Sequence, residues 1–99
     1  MAFLRLAFFP GGTAAHWEAV VQAVGDLSPP EARRAFASGP VDGGWQVVQL
    51  WDTRDALDQF NRDIYLPAMS RLAARGFPET PIVRDVDTVE AWVGNRHLP

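Results

Sequence analysis

From Phe3 to Phe9 the chain is apolar at every position but Arg5, and it halts at Pro10-Gly11-Gly12, a pattern that predicts a buried strand closed by a turn. Thr13 is placed to cap the next segment, where Trp17, Val20, Val21 and Val24 recur at helical spacing before Gly25 offers a stop. The Asp26–Glu31 segment, with Ser28-Pro29-Pro30, reads as a stiff linker. Arg33 to Ser38 reads as a second strand ended by Gly39-Pro40. A hairpin turn over Val41-Asp42-Gly43-Gly44 then leads into a third strand, Trp45 to Trp51. Asp52 or Thr53 caps a second helix with Ala56, Leu57, Phe60 and Ile64 on its apolar face. Pro67 predicts a kink, after which the pattern resumes through Leu72 and Ala73 to Gly76. Ile82 to about Val89 is the last strand, and the remaining residues extend it or reach a neighbour.

That order, strand-helix-strand-strand-helix-strand, predicts an α+β ferredoxin-like fold, βαββαβ, with a four-stranded antiparallel sheet and two helices on one face. Ninety-nine residues suffice for one such domain, with its core at about 2–90 and a tail over 91–99. Hydrophobic residues make up 47% and charged ones 21%, so the chain can bury a core. A net charge of -3 offers no footprint for nucleic acid or anionic membrane, and neither is expected as a partner. The N-terminal apolar run is too short to span a bilayer, which points to a cytoplasmic protein.

The absences remove chemistry. Without cysteine there is no thiolate nucleophile, disulfide or Cys-based metal site. All nine basic residues are arginines, so no lysine can form an imine with a substrate or cofactor. His16 and His97 are the only imidazoles, and Ser28, Ser38 and Ser70 the only serines. Asp52, Asp55 and Asp58 recur every third residue, but acidic side chains at a helix start are explained by capping and the helix dipole, and no metal is expected. Neither Gly11-Gly12 nor Gly43-Gly44 has the spacing of a phosphate-binding loop, so no nucleotide and no cofactor are expected.

Alternation along the strands separates two sets of side chains. Leu4, Leu6 and Phe8, with Gln46, Val48 and Leu50, form a mainly aliphatic set suited to a helix-packed core. Phe3, Arg5, Ala7 and Phe9, with Trp45, Val47, Gln49 and Trp51, mix large aromatics with polar groups, and this set is expected on the uncovered face as a pocket or interface. So many aromatics left bare call for a ligand, a second copy of the chain, or both.

The stretch Gly44-Trp45-Gln46-Val47-Val48-Gln49-Leu50-Trp51-Asp52-Thr53-Arg54-Asp55-Ala56-Leu57-Asp58-Gln59-Phe60 resembles the strand-to-helix segment of the dimeric α+β barrel proteins that include the antibiotic-biosynthesis monooxygenases. The resemblance, which the element order extends over roughly residues 2–90, implies a homodimer joined through its sheets and a small apolar pocket between sheet and helices. It also implies cofactor-independent oxygenation or cyclisation of an aromatic or polyketide-like molecule. Trp51 and Arg71 correspond to a pocket tryptophan and a helix arginine of the anthrone-oxidising members. Val47 stands where those members carry an asparagine that polarises the substrate, and Gln49 is the nearest substitute. A non-catalytic small-molecule-binding or assembly module remains the alternative.

The candidate catalytic residues are His16 as a base, with Arg5 and Gln49 stabilising an enolate or phenolate. Trp51, Trp45, Phe9, Tyr65 and Arg71 are candidates for binding substrate. Each has a plainer reading: the tryptophans as packing, Arg5 as an ion-pair partner of Asp85, Asp87 or Glu90, His16 as an exposed first-turn residue. Asn61 and Arg62 read as a solvated helix face, and His97 as part of a loose tail.

Overall fold

A computed structural model describes residues 1–25 and 29–99; Asp26, Leu27 and Ser28 of the predicted linker lie outside the described residues. Strand β1 (Phe3–Pro10) is followed by α1 (Ala14–Val24), β2 (Arg33–Val41) and β3 (Gly44–Trp51). Next comes one long broken helix made of α2 (Arg54–Phe60), a π-helical turn (Asn61–Tyr65) and α3 (Leu66–Leu72), ending in a 3-10 turn at Ala73–Arg75. Strand β4 (Ile82–Asp87) completes a four-stranded antiparallel sheet in the order β2-β3-β1-β4, the ferredoxin-like arrangement.

Local chemistry sets the boundaries. The Thr13 side chain accepts from the His16 backbone N–H, while His16 Nδ1 accepts from Thr13 N at 3.0 Å, a reciprocal cap with histidine in the place usually held by Glu or Gln. Thr53 caps α2 by accepting from Ala56 N at 3.1 Å; Asp52, the other candidate, instead takes both hydrogen bonds of the Arg34 guanidinium. The expected kink at Pro67 appears one turn earlier as the π turn, in which Leu66 N–H reaches back to Asn61. The wider turn falls just where the next residue, Pro67, has no N–H to continue the ladder. Strand β2 runs on to Val41, so the hairpin turn is only Asp42-Gly43, with Gly43 supplying the positive φ of 82°.

Two expectations are corrected. The last strand stops at Asp87, and the tail is neither loose nor an extension of it: β5 (Trp92–Val93) and β6 (Arg96–His97) pair as a small hairpin. Its return is fixed by Ala2 N donating to Pro99 O and Thr88 Oγ1 donating to Ala2 O, and Ala91 and Leu98 bury themselves with Ala2 against Leu50. The second correction concerns the faces of the sheet, which are exchanged. The aromatic set lies under the helices, where Ala7, Phe9, Trp45 and Val47 pack with Trp17 and Phe77, and Phe3, Trp51 and Leu57 pack with Ala56 and Phe60. The aliphatic set faces away and stays half-buried, with Ile82 and Val86 beside it exposed. The space between a sheet and a helix layer is filled here by indole and phenyl rings, and the flat aliphatic face is left without a helix to cover it.

Gly44 is the tightest point of the hairpin. A Cβ there would overlap the backbone carbonyl oxygen of Phe9, whereas a Cβ at Gly39 meets nothing within 4 Å. Chemical denaturation should therefore show Gly44→Ala destabilised by about 2–3 kcal/mol and Gly39→Ala within about 0.5 kcal/mol of the parent.

Candidate functional site

The two aromatic clusters under the helices are separated by a polar row across the sheet. Phe36 on β2 sits opposite Gln49 on β3, Gln49 opposite Arg5 on β1, and Arg5 opposite Asp85 on β4. The neighbouring row contributes Val47, Ala7 and Val83, whose small side chains leave space above them. Trp17, Val20, Val21 and Val24 of α1, and Phe60, Asn61 and Tyr65 at the helix break, close over this gap. The result is a cavity of about 290 Å³ lined mostly by carbon, at the small end of ligand-binding sites.

Three polar features give the cavity direction. The Arg5 Nε and Nη2 donate to both Asp85 carboxylate oxygens at 2.8 and 3.0 Å. This bidentate hydrogen bond raises the Arg5 pKa against the opposing effect of burial, and the same bond holds the Asp85 carboxyl below its ordinary value. Trp51 Nε1 donates to Gln49 Oε1 at 3.0 Å. An indole N–H can only donate, so the Gln49 amide must turn its oxygen to Trp51, which leaves its NH₂ as the end available to a ligand. Tyr65 is pushed above its ordinary pKa by burial, so its hydroxyl stays protonated and serves as a hydrogen-bond donor or acceptor.

Of the residues singled out in the sequence, Arg5, Gln49, Phe9 and Tyr65 line the cavity together. The others lie elsewhere. Trp45 is buried beside Phe9 with its ring stacked on Trp17, and its Nε1 has no partner among the described residues. Trp51 is 1% exposed beneath Leu57; it touches the cavity only through Gln49 and borders a second, shallower recess with Ala56 and Ile64. His16 is committed to the α1 cap, 5.8 Å from the Phe77 ring and outside the lining. Arg71 donates from Nη2 to Ala23 O at 3.1 Å and so ties α3 to α1.

Trp17, Phe36, Arg33 and Asn61 enter the site without having been picked out as functional. Asn61, read as solvated, lines the cavity because it lies at i+4 from the buried Leu57, on the inner face of the helix at the start of the π turn. Arg33 arrives by a register shift between Arg33 and Ala35, a bulge that simple alternation along β2 does not reveal.

No protein-family model matches the sequence, and no curated protein is similar enough to count as a relative. Among solved structures, the chain is similar to a candidate antibiotic biosynthesis monooxygenase from Bordetella bronchiseptica, with a TM-score of 0.64 and 19% identity over 89% of this chain and 97% of that one. The likeness establishes a shared ferredoxin-like fold. Among the described residues no helix is long and apolar enough to cross a membrane.

Because the folded chain depresses the Asp85 pKa, the Arg5–Asp85 pair stabilises the fold fully above the ordinary carboxylate range and loses that contribution as pH falls through the depressed value. Urea denaturation across pH 2 to 7 should show the parent more stable than Asp85→Asn by no more than about 1 kcal/mol near neutrality, since the pair is partly solvated. The gap should close below about pH 4.

Proposed function

We propose that the chain is a small enzyme of the cofactor-independent monooxygenase or cyclase type, acting on an aromatic or polyketide-like molecule held in the cavity between sheet and helices. One observation carries this reading: an aromatic-walled cavity whose floor presents a fixed amide donor, Gln49 Nε2, beside the Arg5–Asp85 pair. A planar ring fits between Phe9, Trp17 and Phe36, and its carbonyl or enolic oxygen receives the Gln49 N–H. Trp51 is then a positioning residue that holds the amide in the donating orientation. The fold shared with the Bordetella protein supports the same reaction class.

The described lining contains no histidine, glutamate or aspartate, and Asp85 is bound to Arg5 and weakened as a base. His16, the base expected from the sequence, is occupied at the cap. The site therefore suits a substrate acidic enough to ionise to water, with Gln49 and Arg5 stabilising the enolate. In the oxygenase version the carbanion supplies both electrons: dioxygen adds at a CH₂ carbon, and loss of water leaves a carbonyl. One oxygen atom stays in the product and the other leaves as water. In the cyclase version the same carbanion attacks a carbonyl of its own chain. The missing base also favours a second reading, a binding module that sequesters such a molecule without turnover.

We propose further that the chain is a homodimer joined through its uncovered sheet face. Leu4, Leu6, Phe8, Val48 and Leu50 lie in cross-strand register with Val86, Ile82, Ala37 and Ala35, a largely apolar surface, interrupted by Arg84 opposite Leu6 and Gln46 opposite Phe8, that a lone subunit leaves in water. Leu6→Glu at its centre should convert a dimer to a monomer by light scattering after size exclusion. A parent protein that is itself monomeric would remove this part of the reading.

Oxygen uptake with 1,8-dihydroxyanthrone as probe tests the enzyme. The parent should consume oxygen above the spontaneous rate, and Gln49→Ala should lower kcat by about a hundred-fold. Trp51→Phe should lower kcat while leaving KM nearly unchanged, a split that loss of packing alone would not produce. Saturable binding of the probe with no added oxygen uptake would assign the chain to the binding reading.

A further inference from the structure

Two guanidinium groups line the cavity, and their charges are treated differently. Arg5 is matched by both oxygens of Asp85. Arg33 has neither an ion pair nor a side-chain hydrogen bond among the described residues, although Arg34 beside it is bound to Asp52, Arg54 lies 3.9 Å from Asp58, and Arg62 pairs with Asp63. Instead, the Arg33 guanidinium lies over the Phe36 ring, 4.5 Å from its centroid, and Phe36 in turn stacks on Trp17 at 5.7 Å. That three-layer stack packs the cation against the cavity wall, where its N–H groups have no acceptor among the described residues. Burial moves the Arg33 pKa down, as for a cation drawn from water, and among the described residues no acid pairs with it.

The backbone adds a second observation. Beyond the bulge, Ala35 pairs with Leu50 and Phe36 with Gln49, so regular alternation would set residue 34 on the cavity side of β2. The extra residue places Arg33 opposite Trp51 and into the lining, while Arg34 swings out to Asp52. Bulges of this kind re-aim a side chain next to a binding site at the cost of a ladder bond. A half-buried cation is unfavourable unless something supplies the opposite charge; Arg33 has no such partner among the described residues, and it lines the cavity.

Resting on the reading of the cavity as a site for planar aromatic molecules, we infer that its ligand carries an anionic oxygen, a carboxylate or a phenolate attached to the ring system, and that Arg33 is the residue that selects it. The guanidinium edge offers two parallel N–H donors to such a group, while Gln49 takes the reacting oxygen across the cavity floor. A ligand that brings its own negative charge also fits a lining that has no carboxylate or imidazole among the described residues. Its charge completes the balance that Asp85 supplies to Arg5 alone.

Calorimetric titration with 2-naphthoate and its neutral isostere 2-naphthamide separates the possibilities. The parent should bind the acid at least about ten-fold more tightly than the amide. Arg33→Gln should abolish that preference by weakening the acid while leaving the amide unchanged, Arg33→Lys should restore part of it, and Arg34→Gln, altered outside the cavity, should keep it whole. A second probe, 4-nitro-1-naphthol, reports its own ionisation by visible absorbance. A bound pKa lower in the parent than in Arg33→Gln assigns a phenolate, and a preference confined to the naphthoate pair assigns a carboxylate. Equal binding of acid and amide by the parent, or a preference that survives Arg33→Gln, overturns the role of Arg33 while leaving the cavity reading intact. Binding of none of the three compounds overturns both.

Discussion

The pairing of β1 with β3 that sets Arg5 opposite Gln49 is the constraint on which the site depends. Slipping that register by one residue would turn every side chain of one strand to the other face, moving Arg5 or Gln49 out of the cavity and an aliphatic residue into it. The register is held at both ends by bulk that cannot be exchanged. Phe3 and Trp51 are wedged under Leu57 at one end, and Phe9 and Trp45 under Trp17 and Phe77 at the other. Between these anchors the small pair Ala7 and Val47 leaves the helices propped above the sheet rather than collapsed onto it, and the cavity is the space this creates. Its polar row then needs partners of its own. Asp85 serves Arg5, and the Trp51 indole serves the Gln49 oxygen, so the anchor at one end of the sheet also orients the donor in the middle.

The electrostatics of this enclosure are economical. A carboxylate engaged by two guanidinium N–H groups is a poor proton acceptor, and a tyrosine pushed up by burial is a poor proton donor to water. The lining is thus equipped to hold and polarise an oxygen more than to move protons. The helix break contributes to the same end. Asn61 and Tyr65 frame the π turn, so the irregularity imposed ahead of Pro67 carries two of the polar groups that face the cavity.

Much of the architecture was legible in the chain because it is written in periods and punctuation. The seven-residue helical spacing of Trp17, Val20, Val21 and Val24, the threonine caps, and the Asp42-Gly43 turn each have a local physical cause that survives folding. The assignment of sheet faces did not survive, because an unbroken aliphatic set is equally good as an inner core or as a surface for another apolar sheet, and alternation alone cannot choose. Arg5 and Gln49 were noticed as polar interruptions of apolar strands, a signal that holds whichever face they occupy. Trp45, Trp51 and His16 were drawn toward chemistry by their residue type, whereas indole volume and a vacant helix N-terminus use them for packing and capping. Arg33 stayed hidden because it is delivered by one extra residue in a strand, which no periodic template contains, whereas Asn61 lies in regular helical period with Leu57 and was set aside for its polar side chain.

The bulge in β2 also bears on how this segment tolerates change in length. Arg33 and Arg34 are adjacent and identical, so loss of either codon yields the same protein. That shortened strand would regain regular alternation, and its one remaining arginine would fall on the cavity side, with Asp52 at the start of the second helix losing its tether. A deletion scan would therefore separate two tasks that substitution of either arginine alone leaves entangled with the shape of the strand.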